Sequence, residues 1–446
     1  MSFPRYERYK DSGVEWLGDV PEHWDRTKLR RIAVRYSGGT PDKTKLEYWD
    51  DGTIPWLSSG EVNQSLITQP STFITEEAFK NSSAKWIPSG ALVMALAGQG
   101  KTKGTVAQLA IPSTCNQSMA AIVPREMSQA RFLFWWLSAN YQNIRNMAGG
   151  DLRDGLNLEL LGDIDCPLVP EAERLTIARV LDQETAKIDS LIEEQRRLIE
   201  LLKEKRQSVI SHAVTKGLNL SVAMKTSGVD WIGSIPQQWE VAKLGQIASI
   251  VRGGSPRPAG DSRFFNGDFT PWITVGEVTK DDGMYLVATE SMLTQEGAAL
   301  SRTIDSGTLV LTNSGATLGV PKILGITGCA NDGILAFLNL DANANKKYLY
   351  FVLGSLTSEL RERMKQGSGQ PNLNTGIVGA INVPLPPVVE QLAIVTELER
   401  MQDEYGALME QTGTSMTLLQ ERRSALISAA VTGKIDVRSY NPKEAA

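Results

Sequence analysis

The chain has 446 residues, 41% hydrophobic and 22% charged, enough for two to four domains with separate cores. Its 46 basic residues against 51 acidic ones leave a formal net charge of −5, which excludes a generic polycation that coats nucleic acid. An anionic partner must therefore be met by local positive potential, or by potential that another protein supplies.

No stretch approaches the roughly 18 unbroken apolar residues of a membrane span, and Met1 to Lys10 is polar, aromatic and charged rather than signal-like. No membrane partner is expected, and the cytoplasm is the default compartment. Cys115, Cys166 and Cys329 stand far apart and follow neither metal-ligand nor disulfide spacing, so they read as reduced, buried small hydrophobes. With only His23 and His212 there is little material for a His-based metal site or a Ser-His-Asp triad. No catalytic residue and no metal site is expected in this chain.

Taken in order, the chain repeats itself with a period of about 215 residues, too long for a solenoid. Ser12-Gly13-Val14-Glu15-Trp16-Leu17-Gly18 returns as Ser227-Gly228-Val229-Asp230-Trp231-Ile232-Gly233, and Pro21, Trp24, Lys28 and Leu29 return as Pro236, Trp239, Lys243 and Leu244. Gly38-Gly39-Thr40-Pro41 matches Gly253-Gly254-Ser255-Pro256; Pro55-Trp56 and Gly60-Glu61-Val62 match Pro271-Trp272 and Gly276-Glu277-Val278. An arm over 1–24 (repeated at 226–239) is followed by a globular domain over 25–168, a long helix over 169–217, a linker, arm and second globular domain over 218–387, a second long helix over 388–433 and a tail over 434–446.

Within each globular part, β-branched runs such as Ala91-Leu92-Val93-Met94 and Thr308-Leu309-Val310-Leu311, with turn signals every ten residues or so, predict an irregular sheet in a mixed α/β setting. The repeated tryptophans Trp16, Trp24, Trp56, Trp231, Trp239 and Trp272 sit beside Gly or Pro in the duplicated frame and read as packing residues rather than stacking platforms.

Each long helix is announced by proline, Pro167-Leu168-Val169-Pro170 and Pro384-Leu385-Pro386-Pro387, with Glu171, Glu173 and Glu390 in the first turn. Gly217 and Gly433 are candidate C-terminal caps, and the second helix, unlike the first, carries Gly406 and Gly413 before its end. Leu181, Ile188, Gln195, Leu202 and Val209 stand seven apart, as do Leu398, Tyr405, Thr412, Leu419 and Leu426, which marks a coiled-coil seam; Leu191 and Leu198 are placed at its complementary positions. A helix of about 40 residues reaches about 60 Å and needs a partner. The fold class expected is α+β (mixed α/β): two duplicated domains separated by two long helices that pair as an antiparallel coiled coil with pseudo-twofold symmetry, Gln195 and Thr412 facing each other.

The duplication, the Ser-Gly-Val-Glu/Asp-Trp-Leu/Ile-Gly head of each copy and Pro384-Leu385-Pro386-Pro387-Val388-Val389-Glu390-Gln391 with Ile394 together resemble the specificity subunits of type I restriction-modification systems, over nearly the whole chain. Copy one departs mildly, with Glu173-Arg174 where copy two has Glu390-Gln391. The resemblance implies that each globular part is a target recognition domain for half of a bipartite, asymmetric site on double-stranded DNA. It also implies that the helices set the spacing and dock two adenine methyltransferase subunits, and that restriction subunits join them. S-adenosylmethionine, ATP and magnesium would then belong to the partner subunits, with no cofactor in this chain. A scaffold that binds proteins through duplicated domains, and the recognition subunit of a methyltransferase-only or fused system, are the competing readings.

Under that resemblance three loops per copy are candidate DNA contacts. The first contains Gln99, Lys101, Thr102 and Lys103, matched by Ser314 and Thr317, where glycines let backbone amides and lysines approach phosphates. Its Gly98-Gln99-Gly100-Lys101-Thr102 also fits a relaxed phosphate-loop pattern, but Thr105-Val106-Ala107-Gln108-Leu109 reads as a strand and not the helix such a loop must open. The second holds Asn116 and Gln117, matched by Asn331 and Asp332; amides there suit adenine, and turn chemistry accounts for them equally well. The third holds Arg153 and Asn157, matched by Gln370, Asn372 and Asn374, with a plain helix-to-strand loop as the alternative.

Overall fold

In the computed structural model, which describes residues 3–14, 16–98, 102–147, 155–219, 221–315, 317–365 and 373–440, the repeat in the sequence becomes a repeat of topology. The chain divides into two units: Met1–Gln195 with Thr414–Ala446, and Arg196–Gly413.

The first unit is built on a five-stranded sheet in the order Ala33–Ser37, Met119–Pro124, Leu92–Ala95, Val106–Leu109, Leu66–Ile67. Its centre, Leu92 to Ala95, is buried on both faces, which is why that run is continuously apolar rather than alternating. A smaller sheet orders Thr114–Cys115, Ile54–Leu57 and Thr72–Ile74, its first pair parallel. The helix Ala130–Ala139 covers the sheet with Phe132, Leu133 and Trp136.

The second unit has the same plan. Ser249–Arg252, Ile334–Leu338, Leu309–Thr312, Pro321–Leu324 and Tyr285–Leu286 form the large sheet in the matching order. Met292–Leu293, Phe265–Ile273, Gly328–Ala330 and Arg302–Ile304 form the small one, again with one parallel pair, Trp272 opposite Cys329. Lys346–Lys365 is the covering helix.

The long helices run Glu171–Lys216 and Val388–Val431. In the first unit the start of one packs on the end of the other, Ile177, Val180 and Leu181 against Ile427, Ala430 and Val431. In the second unit Ile210, Ala213 and Val214 meet Ile394, Val395 and Leu398, so the pairing is antiparallel in both. Arg423 reinforces it in the first unit, its Nε 2.8 Å from Asp189 Oδ1.

Of the seam residues, Leu181, Ile188, Leu398 and Thr412 are buried, and Gln195, Leu202, Val209, Tyr405, Leu419 and Leu426 are half-buried. The complementary positions differ from those expected. Leu191 and Leu198 are 45% and 41% exposed, while Ile192 is buried and Ile199 half-buried. Each i+3 leucine is followed by an i+4 isoleucine, so the pattern offers two stripes, and packing uses the second.

The helix ends are capped as expected. Gly217 donates to Ala213 O, and Lys434 reaches back from beyond Gly433 to Ala429 O at 2.8 Å, a closure that requires the positive φ of 72° at Gly433. At the other end of the first helix, the buried carboxylate of Glu173 accepts from Tyr6 Oη (2.6 Å) and Trp24 Nε1 (3.0 Å) and stands 2.8 Å from His23 Nε2, fastening the N-terminal arm. Trp24, Trp56, Trp239 and Trp272 are buried, Trp231 is half-buried and Trp16 is 39% exposed. All three cysteines are free and buried, and His212 is exposed on the first long helix.

Candidate nucleic-acid interface

The last residue of the central strand's extension is a junction in both units. In the first, Leu96 N–H donates to Ser118 O and Leu96 O accepts from Leu156 N–H, both at 2.8 Å. In the second, Asn313 does the same: its N–H donates to Gly333 O (2.9 Å) and its O accepts from Leu373 N–H (2.8 Å). Two pairs of backbone bonds thus draw the described parts of the three candidate loops to one end of each large sheet.

Within that cluster many candidate side chains serve the loops themselves. Asn116 Oδ1 accepts from Ser118 N–H and Asn331 Oδ1 from Gly333 N–H, both at 3.1 Å, which is an Asx turn repeated in the two copies. Asn157 caps the short helix Leu158–Gly162 by accepting from Glu159 and Leu160 N–H, and Asn374 caps Thr375–Gly379 through Ile377 N–H. Lys103 is 6% exposed, so its ammonium is not displayed to a backbone phosphate, whereas Thr102, Ser314 and Thr317 are half-buried. The glycine-rich loop of copy one leads into the strand Val106–Leu109 and opens no helix, the geometry that excludes a phosphate loop. Gln99, Lys101, Arg153, Gln370 and Asn372 lie outside the described residues.

Sequence reasoning missed a fourth segment of the cluster. Gly38 and Gly253 lie so close to the Asx turns that a Cβ would stand 1.9 Å from Cys115 O and 2.2 Å from Asn331 O respectively. Only glycine permits that approach. Trp56 Nε1 donates to Gly39 O at 2.9 Å and holds the segment in the first unit. Side chains on either side of the glycines then reach the middle residue of each Asx turn. Ser37 Oγ donates to Gln117 O (3.4 Å) and Thr40 Oγ1 to Gln117 Oε1 in one unit; Arg252 Nε donates to Asp332 O (2.6 Å) and Ser255 Oγ to Asp332 Oδ1 (2.7 Å) in the other. The repeated Gly-Gly-Thr/Ser-Pro was the available signal, but it read only as a marker of duplication.

Electrostatics separate the two copies here. Arg257 Nη2 lies 3.2 Å from Asp332 Oδ2 with 70% of its side chain exposed. The Ser255 hydroxyl, and then the charges of Arg252 and Arg257, hold the Asp332 carboxyl below the usual range against the opposing effect of burial. The residue matching Arg257 in copy one is Asp42, whose carboxyl is held low by the Thr44 amide and hydroxyl. Among the described residues, no group of three or more His, Cys, Asp or Glu is placed to hold a metal ion, and no helix is long and apolar enough to cross a membrane.

Two copies of one α+β domain, each with a loop cluster at one sheet end and each packed on antiparallel segments of the two long helices, define a tandemly duplicated α+β protein. The profile described as type I restriction modification DNA specificity domain matches residues 21–201 and 236–413. The chain belongs to this family of type I restriction-modification specificity subunits.

The specificity subunit of the type I restriction enzyme MjaVIII of Methanocaldococcus jannaschii is 23% identical over 99% of both chains. That of EcoKI of Escherichia coli K12 is 22% identical over 95% of this chain and 92% of its own. The EcoR124I/EcoR124II subunit of Escherichia coli is 29% identical over 197 residues, 43% of this chain and less than half, 46%, of that relative. Among solved structures, a chain from work on complex assembly and conformational transition of the type I R-M system superposes with a TM-score of 0.68 over 93% of this chain and 99% of its own, at 19% identity. The HsdS subunit of Thermoanaerobacter tengcongensis gives 0.54 over 93% and 98%, at 16% identity. At those identities the likeness concerns the fold.

Proposed function

We propose that each unit reads one half of a bipartite site on double-stranded DNA, that the paired helices set the distance between the halves, and that they dock two adenine methyltransferase subunits, which restriction subunits join in the cytoplasm. The chain supplies no chemistry of its own; S-adenosylmethionine, ATP and magnesium act in the partner subunits. The observation that carries this reading is the fourfold loop convergence, built twice on the same backbone bonds and finished with different side chains. A shared frame with divergent tips is what an asymmetric target asks of a duplicated reader. Base contacts worth about 1 to 3 kcal/mol each make a single module a weak reader, and linking two multiplies specificity when the spacing fits.

The test is a chimera in which residues 25–165 are exchanged for those of another family member, co-expressed with the methyltransferase subunit. Sequencing of methylated adenines should show one half of the motif changed and the other half retained. A change in both halves, or in neither, contradicts the modular assignment.

A further inference from the structure

We propose that Arg257, braced by Asp332, is a specificity-determining residue of the second unit and reads a guanine. This rests on the proposal that the loop clusters meet DNA. The middle residue of each Asx turn is held by two bonds from matching positions in both copies, one to its carbonyl (from Ser37 or Arg252) and one to its side chain (from Thr40 or Ser255). The support is matched position for position, with Arg252 where copy one has Ser37, and what stands on it differs: Gln117 with Asp42 in the first unit, Asp332 with Arg257 in the second.

An exposed arginine loses side-chain entropy when it docks, and a carboxylate that already engages one edge of the guanidinium lowers that cost. Arg257 gives Nη2 to Asp332 and keeps its remaining N–H donors for a second partner. Two parallel donors match the O6 and N7 acceptors of guanine in the major groove. Asp332 is itself fixed by the Ser255 hydroxyl, by Arg252 on its carbonyl and by Asn313 Nδ2 on the same carbonyl at 3.2 Å, so the brace is part of the loop frame rather than a loose surface pair. In the first unit the Gln117 amide stands in place of Asp332 and the Asp42 carboxylate in place of Arg257, which suits a different base.

The experiment uses the full complex of this chain with its methyltransferase subunit, and reads both the methylated motif and binding to duplexes randomised one position at a time. Arg257→Ala should lose about ten- to a hundredfold discrimination at one guanine of a single half-site, leaving the other half-site and the spacing as they were. Arg257→Lys should keep the salt dependence of binding yet still lose that discrimination, because a point charge lacks the fork. Asp332→Asn should give a partial loss at the same position. Uniform weakening across all sequences with a shallower salt slope makes Arg257 a phosphate contact and overturns the proposal, as does an unchanged motif. A wild-type complex with no bipartite motif overturns the DNA reading itself, an outcome distinct from an intact motif that ignores Arg257.

Discussion

Gln391 Oε1 accepts the backbone N–H of Asn345 at 2.7 Å, while its Nε2 donates to Asn343 O and Pro386 O, so one fully buried amide rivets the second long helix to the loop that precedes the covering helix. The matching residue in the first unit, Arg174, does the same task with charge: its Nη2 reaches Glu126 Oε2 at 2.8 Å and Ser128 Oγ at 2.9 Å. The departure from the repeat at Arg174 and Gln391 is therefore a change of chemistry at a retained joint. Arg131 with Asp182 (2.7 Å) and Lys347 with Glu399 (2.6 Å) form a second such joint between covering helix and long helix.

Gln391→Ala should destabilise the second unit by about 2 to 3 kcal/mol, because it strands one buried N–H and two carbonyls. Denaturant unfolding followed by tryptophan fluorescence measures it, and a loss below about 0.5 kcal/mol is inconsistent with the rivet.

The Arg131–Asp182 and Lys347–Glu399 pairs are partly exposed, so solvent screening limits them. Double-mutant cycles should return coupling of about 0.2 to 1 kcal/mol for each, falling in high salt. A salt-independent coupling above about 2 kcal/mol contradicts this expectation.

Gly406 lies inside the second long helix, where an added Cβ would have nothing within 4 Å, whereas a Cβ on Gly433 would stand 2.3 Å from Pro21 Cδ. Gly406→Ala should raise stability by about 0.5 to 1 kcal/mol through helix propensity. Gly433→Ala should lower it by about 1 to 3 kcal/mol, since both its positive φ and the proline oppose a side chain. Paired melting curves of the two variants should move in opposite directions.

Burial pushes the thiols of Cys115 and Cys166 up to about 12 from an ordinary 9.0. With the folded value above the unfolded one, the stability they contribute is complete below about pH 9 and is lost as pH rises through about 12. Native protein at about pH 8, below both values, should therefore resist iodoacetamide at both positions while the unfolded chain is alkylated, as peptide mass spectrometry will show. Prompt native labelling of Cys166 refutes the assignment.

Deleting seven residues from the middle of each long helix removes about 10 Å of rod. If the rods act as the ruler, the unread gap in the methylated motif shortens, or methylation ceases, while neither half-site changes its bases. An unaltered gap rules the ruler out.

What the amino-acid sequence settled by itself was whatever depends on neighbours along the chain or on matched positions: the duplication, the helix starts at Pro170 and Pro387, the glycine caps, the seven-residue seam and the strand after Thr105 that disqualifies a phosphate loop. These arise from local backbone preferences and from side-chain periodicity, which leave marks in the residue string. Tertiary structure alone chose between Leu191 and Ile192 for the seam, hid Lys103, turned Asn157 and Asn374 into helix caps and brought Gly38 and Gly253 onto the Asx turns. The loops meet through the backbone groups of Leu96 and Asn313, and a peptide N–H or C=O is the same in every residue, so such long-range bonds carry no signature that a sequence can display.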